Sequence, residues 1–214
     1  MNDPASDRSR FLARLRADEP SFATRVLEAA ALVPREVFLP IRGADPYGYG
    51  PLPLDCGETM PDAVTALRLI HALDLSQRHR VLEIGTGSGY GTALIARLAL
   101  HVTSLERYRR LLARAETALR EAGVTNVSLF LADGSEGYAE AAPYDRILVN
   151  AAFPALPKHF LDQMGPQSTL VCAIGEGTGE QMLVRLSKVG ARFERDDLWP
   201  VRYQPIASGI AAAL

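Results

Sequence analysis

Arg80-Val81-Leu82-Glu83-Ile84-Gly85-Thr86-Gly87-Ser88-Gly89-Tyr90 decides the fold. A short apolar run containing an acid ends in alternate glycines, which lead into the helical-looking Thr92-Ala93-Leu94-Ile95-Ala96-Arg97-Leu98. Buried strand, tight turn and helix start make the opening unit of a nucleotide-binding α/β sheet. The glycines permit positive φ and let a ligand approach the backbone, while helix N-terminal N–H groups face that ligand. Spacing then selects the ligand. A dinucleotide loop reads G-x-G-x-x-G and seats a pyrophosphate on the helix N-terminus. Here the form is E-x-G-x-G-x-G, with an acid in the strand and no third glycine at the helix-packing position. A pyrophosphate sits poorly near Glu83, whereas the amino and sulfonium groups of S-adenosylmethionine sit well. The stretch reads as an S-adenosylmethionine loop.

Downstream strands extend that reading. About 20 residues after Gly85 the run His101-Val102-Thr103-Ser104-Leu105 ends in Glu106, the usual distance to a ribose-binding acid. A carboxylate there accepts from both ribose hydroxyls. A third strand, Val127 to Ala132, ends in Asp133-Gly134, where a side-chain acceptor can meet an adenine amino group and glycine lets the base lie against backbone. The expected cofactor residues are Glu83, Gly85, Thr86, Gly87, Ser88, Gly89, Glu106, Arg107, Asp133 and Gly134. No metal site is expected.

The 214-residue length fits one domain with a full hydrophobic core. A net charge of −2 and a pI of about 6.1 argue against a nucleic-acid binder. The two cysteines, Cys56 and Cys172, are far apart in sequence, which suits a reduced, cytoplasmic protein. The N-terminus lacks the apolar core of a signal peptide, and no apolar run approaches the ~18 residues of a membrane span. A monomer is expected.

Residues 1 to 62 form a helical segment and a Gly/Pro-rich loop packed on the core, with Leu12, Leu15, Phe22, Val26 and Leu27 as a helical stripe that Val33-Pro34 interrupts. Residues 63 to 214 form the cofactor-binding core, the whole being one structural domain. Strands are expected near 80–85, 101–106, 127–132, 145–151 and 168–174, with helices between them. Alternation of this kind predicts an α/β fold with a doubly wound, mostly parallel sheet. Met182 to Leu186 and Arg192 to Tyr203 lack a helix between them and are expected to close one edge as an antiparallel hairpin.

From about residue 25 to 206 the chain resembles the protein-L-isoaspartate O-methyltransferases. The resemblance rests on Val33-Pro34-Arg35-Glu36-Val37-Phe38, Leu52-Pro53-Leu54, Gly57-Glu58-Thr59, the glycine loop, Asp133-Gly134, Ala142-Pro143-Tyr144-Asp145 and Pro200-Val201-Arg202-Tyr203. It implies methyl transfer from S-adenosylmethionine to a carboxylate of isoaspartyl residues in damaged proteins, the ester then cyclising to a succinimide unaided. It also implies Thr59, Asn150 and Arg202 as catalytic candidates. A carboxylate is already ionised at neutral pH, so orientation and desolvation suffice without a general base. His71, His79, His101 and His159 accordingly read as ordinary histidines.

Departures gather on the substrate side. The family reads G-Q-T-[IV]-S-x-P where this chain has Gly57-Glu58-Thr59-Met60-Pro61-Asp62-Ala63. Pro61 replaces a serine hydroxyl, and Asp62 puts an acid where an anionic substrate is expected. Asn150-Ala151 stands for the usual Thr-Ala, and Tyr203-Gln204-Pro205-Ile206 for F-V-P-L. Two alternatives follow: a diverged methyltransferase with a neutral or cationic acceptor, or a cofactor-binding module without catalysis.

Overall fold

Residues 4–41, 43–177 and 179–211 are described by the computed structural model. The N-terminal stripe forms two helices, α1 (Pro4–Asp18) and α2 (Thr24–Leu32). They are separate because Pro20 lacks an amide proton and restricts Glu19, which closes the first helix. After Pro34 a single 3-10 turn, Arg35–Phe38, leads into the Gly/Pro-rich loop. That loop is organised by a minimal antiparallel pair, β1 (Leu52–Pro53) with β2 (Thr59–Met60), around a tight turn at Asp55–Gly57.

The remainder alternates as α3 (Ala63–Ala72), β3 (Arg80–Ile84), α4 (Tyr90–Leu98), β4 (His101–Glu106), α5 (Arg109–Glu121), β5 (Val127–Leu131), β6 (Tyr144–Phe153), α6 (Lys158–Leu161), β7 (Met164–Ile174), β8 (Gln181–Val189) and β9 (Arg192–Val201). Seven strands form one sheet in the order β5-β4-β3-β6-β7-β8-β9. Strands β3 to β7 run parallel, and β8–β9 is the antiparallel hairpin at the edge. Strand order reverses at β3, so a crevice opens beyond the carboxyl ends of β3, β4 and β6.

Strand β7 starts at Met164, four residues before the sequence reading put it. Met164-Gly165-Pro166-Gln167 looks like a turn, and locally it is one: Gln167 has φ 58°. Pairing is Tyr144 with Met164 and then Arg146 with Thr169, so the extra residues bulge out of a strand that continues.

Two cores flank the sheet. On one face Phe11, Phe22 and Val26 pack with Leu67, Leu94 and Ile95, so the first sixty residues share the apolar centre of α3 and α4. Leu67, Leu94 and Ile95 are fully buried, each stabilising by roughly 1.5–3 kcal/mol relative to exposure. The other face (Leu82, Ile147, Phe160, Leu170) is covered by the four-residue α6 and the loop around Tyr138 rather than by long helices. Cys56 and Cys172 are both free. Among the described residues no helix is long and apolar enough to cross a membrane.

Candidate active site

The glycine loop forms the floor of the crevice. Gly85, Gly87 and Gly89 have φ of 88°, 57° and 86°, a region that side chains avoid. Gly85 N–H donates to the Leu105 carbonyl at 2.8 Å, tying the loop to β4. A Cβ on Gly89 would sit 3.2 Å from Ala115 Cβ, so Gly89 is where α4 meets α5. The expectation of no helix-packing glycine is corrected: the shorter spacing supplies one at the N-cap of α4.

Glu83 does not face the crevice. It is 1% exposed, and its Oε2 accepts from Thr92 Oγ1 at 2.5 Å and Ser104 Oγ at 2.7 Å. Thr86 Oγ1 bonds Ser104 Oγ at 2.7 Å, extending this chain into the loop. The acid read as a partner for a cationic ligand therefore pins α4, β4 and the loop together from behind. Burial, opposed by the two hydroxyl donors, pushes its pKa to about 7. Because that exceeds the unfolded value, the folded chain holds a proton between about pH 4.5 and 7 that the unfolded chain has released. Stability then falls as pH rises through this window. At about 1.4 kcal/mol per unit, Glu83→Gln should gain about 3 kcal/mol on the wild type between the acid and alkaline ends. Denaturant melts at both ends check this; parallel pH profiles for the two proteins would refute it.

Glu106 is the acid that reaches the crevice wall. It is 4% exposed, with Oε2 accepting from Gly87 N–H at 2.9 Å and Oε1 from Tyr108 N–H at 3.0 Å. Burial raises its pKa, and the backbone donors oppose the rise. Each oxygen has remaining acceptor capacity toward the cleft. Arg107 lines the wall but spends its Nε on the Gly209 carbonyl at 3.1 Å. Asp133 is exposed and outside the wall: its oxygens accept from Ser135 N–H at 2.8 Å and Gly209 N–H at 2.6 Å, fastening the C-terminal segment. Gly134 does line the wall, but Ile84 accounts for it, since a Cβ would lie 2.6 Å from Ile84 Cγ2. Thr86, Ser88 and Gly89 shape the loop from outside the wall, Ser88 Oγ accepting from Tyr90 N–H at 3.3 Å.

The 52–62 loop forms the roof. Leu54 N–H donates to the Glu58 carbonyl at 2.7 Å, and Leu54 Cδ1 lies 3.5 Å from where a Gly87 side chain would begin. Asp55 fastens the loop to α5 through Arg114 at 2.6 Å and Arg110 at 3.3 Å. Buried Arg35 joins two loop segments, donating from Nε to the Pro46 carbonyl at 2.7 Å and from Nη2 to the Pro61 carbonyl at 2.6 Å. Thr59 lines the cleft beside Glu58; Met60 is buried beneath, and neither Pro61 nor Asp62 belongs to the wall. Asp62 is corrected most sharply. Its oxygens accept from Thr65 N–H at 3.0 Å and Thr65 Oγ1 at 2.9 Å, so it caps α3 and does not stand as a free anion before the substrate.

Asn150 lies where β6 bulges, between the pairs Leu148–Val171 and Ala152–Ala173, and that bulge turns it to the cleft. Its Nδ2 donates to the Gly85 carbonyl at 2.9 Å. Arg202 is exposed and lies outside the wall. None of the four histidines lines the cleft. The sequence reading missed Tyr108 as a wall residue; Glu58 and the segment Gln204 to Ile206, read only as departures on the substrate side, line the cleft as well, with Ala207 beyond them. That segment is drawn in by hydrogen bonds between Ala152 and both Gln204 and Ile206. Its only sequence signal was the departure at Gln204, which carries no charge and no turn residue.

The cleft is open to solvent on one side, and the space between its walls, open mouth included, is about 710 Å³. Ile84, Leu105, Ala132 and Ile206 offer an apolar slot for a flat base, beside the Glu106 carboxylate that suits a ribose diol. These residues fit an adenosyl group. Sheet order, the glycine loop and a buried acid at the end of β4 together define a class I S-adenosylmethionine-dependent methyltransferase.

Comparison with known proteins narrows the class. The profile of the protein-L-isoaspartate(D-aspartate) O-methyltransferase family matches residues 6–211. Protein-L-isoaspartate O-methyltransferases of Azorhizobium caulinodans and Bradyrhizobium sp. are 40% and 42% identical over 190 residues, each match covering 88% of both chains. The chain belongs to the protein-L-isoaspartate O-methyltransferase family. Two solved structures of that designation share its fold. One has a TM-score of 0.82 at 23% identity, covering 95% of this chain and 67% of the other. The second, from Plasmodium falciparum in complex with S-adenosyl-L-homocysteine, has 0.80 at 21%, covering 97% and 99%.

Proposed function

We propose that this protein transfers a methyl group from S-adenosylmethionine to the carboxylate of isoaspartyl residues in damaged proteins or peptides. The observation that carries the reading is the capping role of Asp62, which leaves no free carboxylate of that residue facing an anionic acceptor. S-adenosylmethionine supplies an electrophilic methyl, and a carboxylate acceptor is a ready nucleophile at neutral pH. The protein's work is then to bind, orient and dry the reactants.

In this reading Glu106 accepts the ribose hydroxyls, held by the Gly87 and Tyr108 amides. Asn150 braces the loop through Gly85, and Thr59 offers the hydroxyl at the acceptor end that Pro61 lacks. Glu83, Thr86, Ser88 and Gly89 act on the cofactor indirectly by shaping the loop.

Labelled methyl donor, an isoaspartyl peptide and its aspartyl twin test the proposal. Label should enter the isoaspartyl peptide, as a base-labile ester, and not its twin. Equal labelling of both, or of neither while S-adenosylhomocysteine still binds, would overturn it.

A further inference from the structure

The cleft contains a second carboxylate that ribose binding does not require. Glu58 lines the same wall as Thr59, Gly87 and Tyr108 and is half-buried there. Its backbone is fixed on both sides: its carbonyl accepts from Leu54 at 2.7 Å, and its N–H donates to the Asp55 carbonyl at 3.3 Å. Cys56 and Gly57, at φ 64° and 77°, make the turn that delivers it there. The position is therefore built. Burial, with the nearby Glu106 carboxylate adding to it, raises the Glu58 pKa above the ordinary carboxylate value. Arg107 donates to the Gly209 and Ser208 carbonyls at 3.1 and 3.5 Å and forms no ion pair with either acid, its charge easing their ionisation only from a distance.

Two partly desolvated acids in one cleft, without a committed cation, favour a positively charged occupant. The donor and the product of methyl transfer differ in just that respect. S-adenosylmethionine carries a sulfonium cation; S-adenosylhomocysteine carries a neutral thioether at the same atom. Glu106, on the ribose, meets both alike.

We infer that Glu58 is a specificity-determining residue that makes the cleft prefer the cationic methyl donor over its neutral product. The inference rests on the proposed placement of the adenosyl group in this cleft. Its consequence is weaker product inhibition than the ribose and base contacts alone would produce.

Equilibrium binding of two unreactive probes tests it without turnover. Sinefungin carries an ammonium where the donor has its sulfonium, and S-adenosylhomocysteine is neutral there. Both Kd values are measured by calorimetry for the wild type, Glu58→Gln and Glu58→Asp. In the wild type the ratio should favour sinefungin. Glu58→Gln should shift it at least about fivefold toward S-adenosylhomocysteine, the size expected of one charge pair screened across a partly solvated cleft. Glu58→Asp, which keeps the charge, should retain most of the preference.

If Glu58→Gln weakens both probes equally, Glu58 is a shared hydrogen-bond acceptor and the inference fails. An unchanged ratio with unchanged affinities also overturns it. If the wild type binds neither probe, the cofactor reading of the cleft fails first, and this outcome is distinguishable from the other two.

Discussion

Replacing Gly87 with valine is expected to lower affinity for S-adenosylhomocysteine by more than about a hundredfold while leaving the fold in place. Two effects combine. Gly87 has φ 57°, where a β-branched residue is strained by about 1–3 kcal/mol. A Cβ at this position also starts 3.5 Å from Leu54 Cδ1, so the rest of the valine enters the gap between floor and roof. Relief requires the loop to move, which breaks the Gly87 N–H bond to Glu106 and turns that carboxylate out of place. Nothing in the two hydrophobic cores depends on Gly87, so melting should shift by only a few degrees. Glu106→Ala is the milder companion, costing about 1–3 kcal/mol of affinity through lost acceptors on the ribose hydroxyls. Calorimetric titration of both variants decides the matter. Unchanged affinity in both would remove the binding site drawn above.

What was legible in the sequence was set by backbone geometry and periodicity. The strand, the alternate glycines and Glu106 specify a local conformation that no other part of the chain can override, and they lie as expected. The edge hairpin was legible for the same reason, because apolar alternation without a helix between two runs leaves few choices.

Side-chain direction was not legible. Glu83 and Glu106 are both acids in or at the ends of parallel strands, yet one faces α4 and the other faces the crevice. That difference depends on hydroxyls at Thr92 and Ser104, contributed by two other elements. Asp133 was read as an adenine acceptor because it follows a strand; the structure adds a tie to the C-terminal segment through Gly209 that the strand end did not announce. Contacts with sequence separations of 76 and 102 residues have no local signature. Asp62 is instructive in another way. Read as an acid before the substrate, it instead caps α3, and Asp-x-x-Thr ahead of an apolar helix is itself a capping pattern that the sequence reading passed over.

With Asp62 committed to capping α3, Pro61 is the loop departure whose reversal bears on the acceptor. Pro61→Ser alone should raise methylation of an isoaspartyl peptide by roughly tenfold in kcat/KM, equivalent to about 1.4 kcal/mol. Residue 61 lies just outside the cleft wall, two positions beyond Thr59, where a serine hydroxyl can donate to an acceptor carboxylate docked at the rim; a hydrogen bond to a charged group contributes about 1.5–3 kcal/mol. Only the part felt more strongly in the transition state reaches turnover, so the lower end is expected. The exchange keeps the Arg35 clamp, which grips the backbone carbonyl of residue 61 and is indifferent to its side chain. Losing proline loosens the unfolded chain and costs about 0.4–1 kcal/mol of stability, too little to obscure a kinetic gain. Adding Asp62→Gln should not help. It removes the cap on Thr65 and costs about 0.5–2 kcal/mol of stability with no repulsion to relieve. Steady-state kinetics and thermal melts of the single and double variants separate these effects. If the wild type already methylates briskly and Pro61→Ser slows it, Thr59 and the loop backbone hold the acceptor, and the proline contributes by keeping that backbone rigid. If Pro61→Ser is silent and the double variant is faster, the acid does face the substrate and the capping assignment fails.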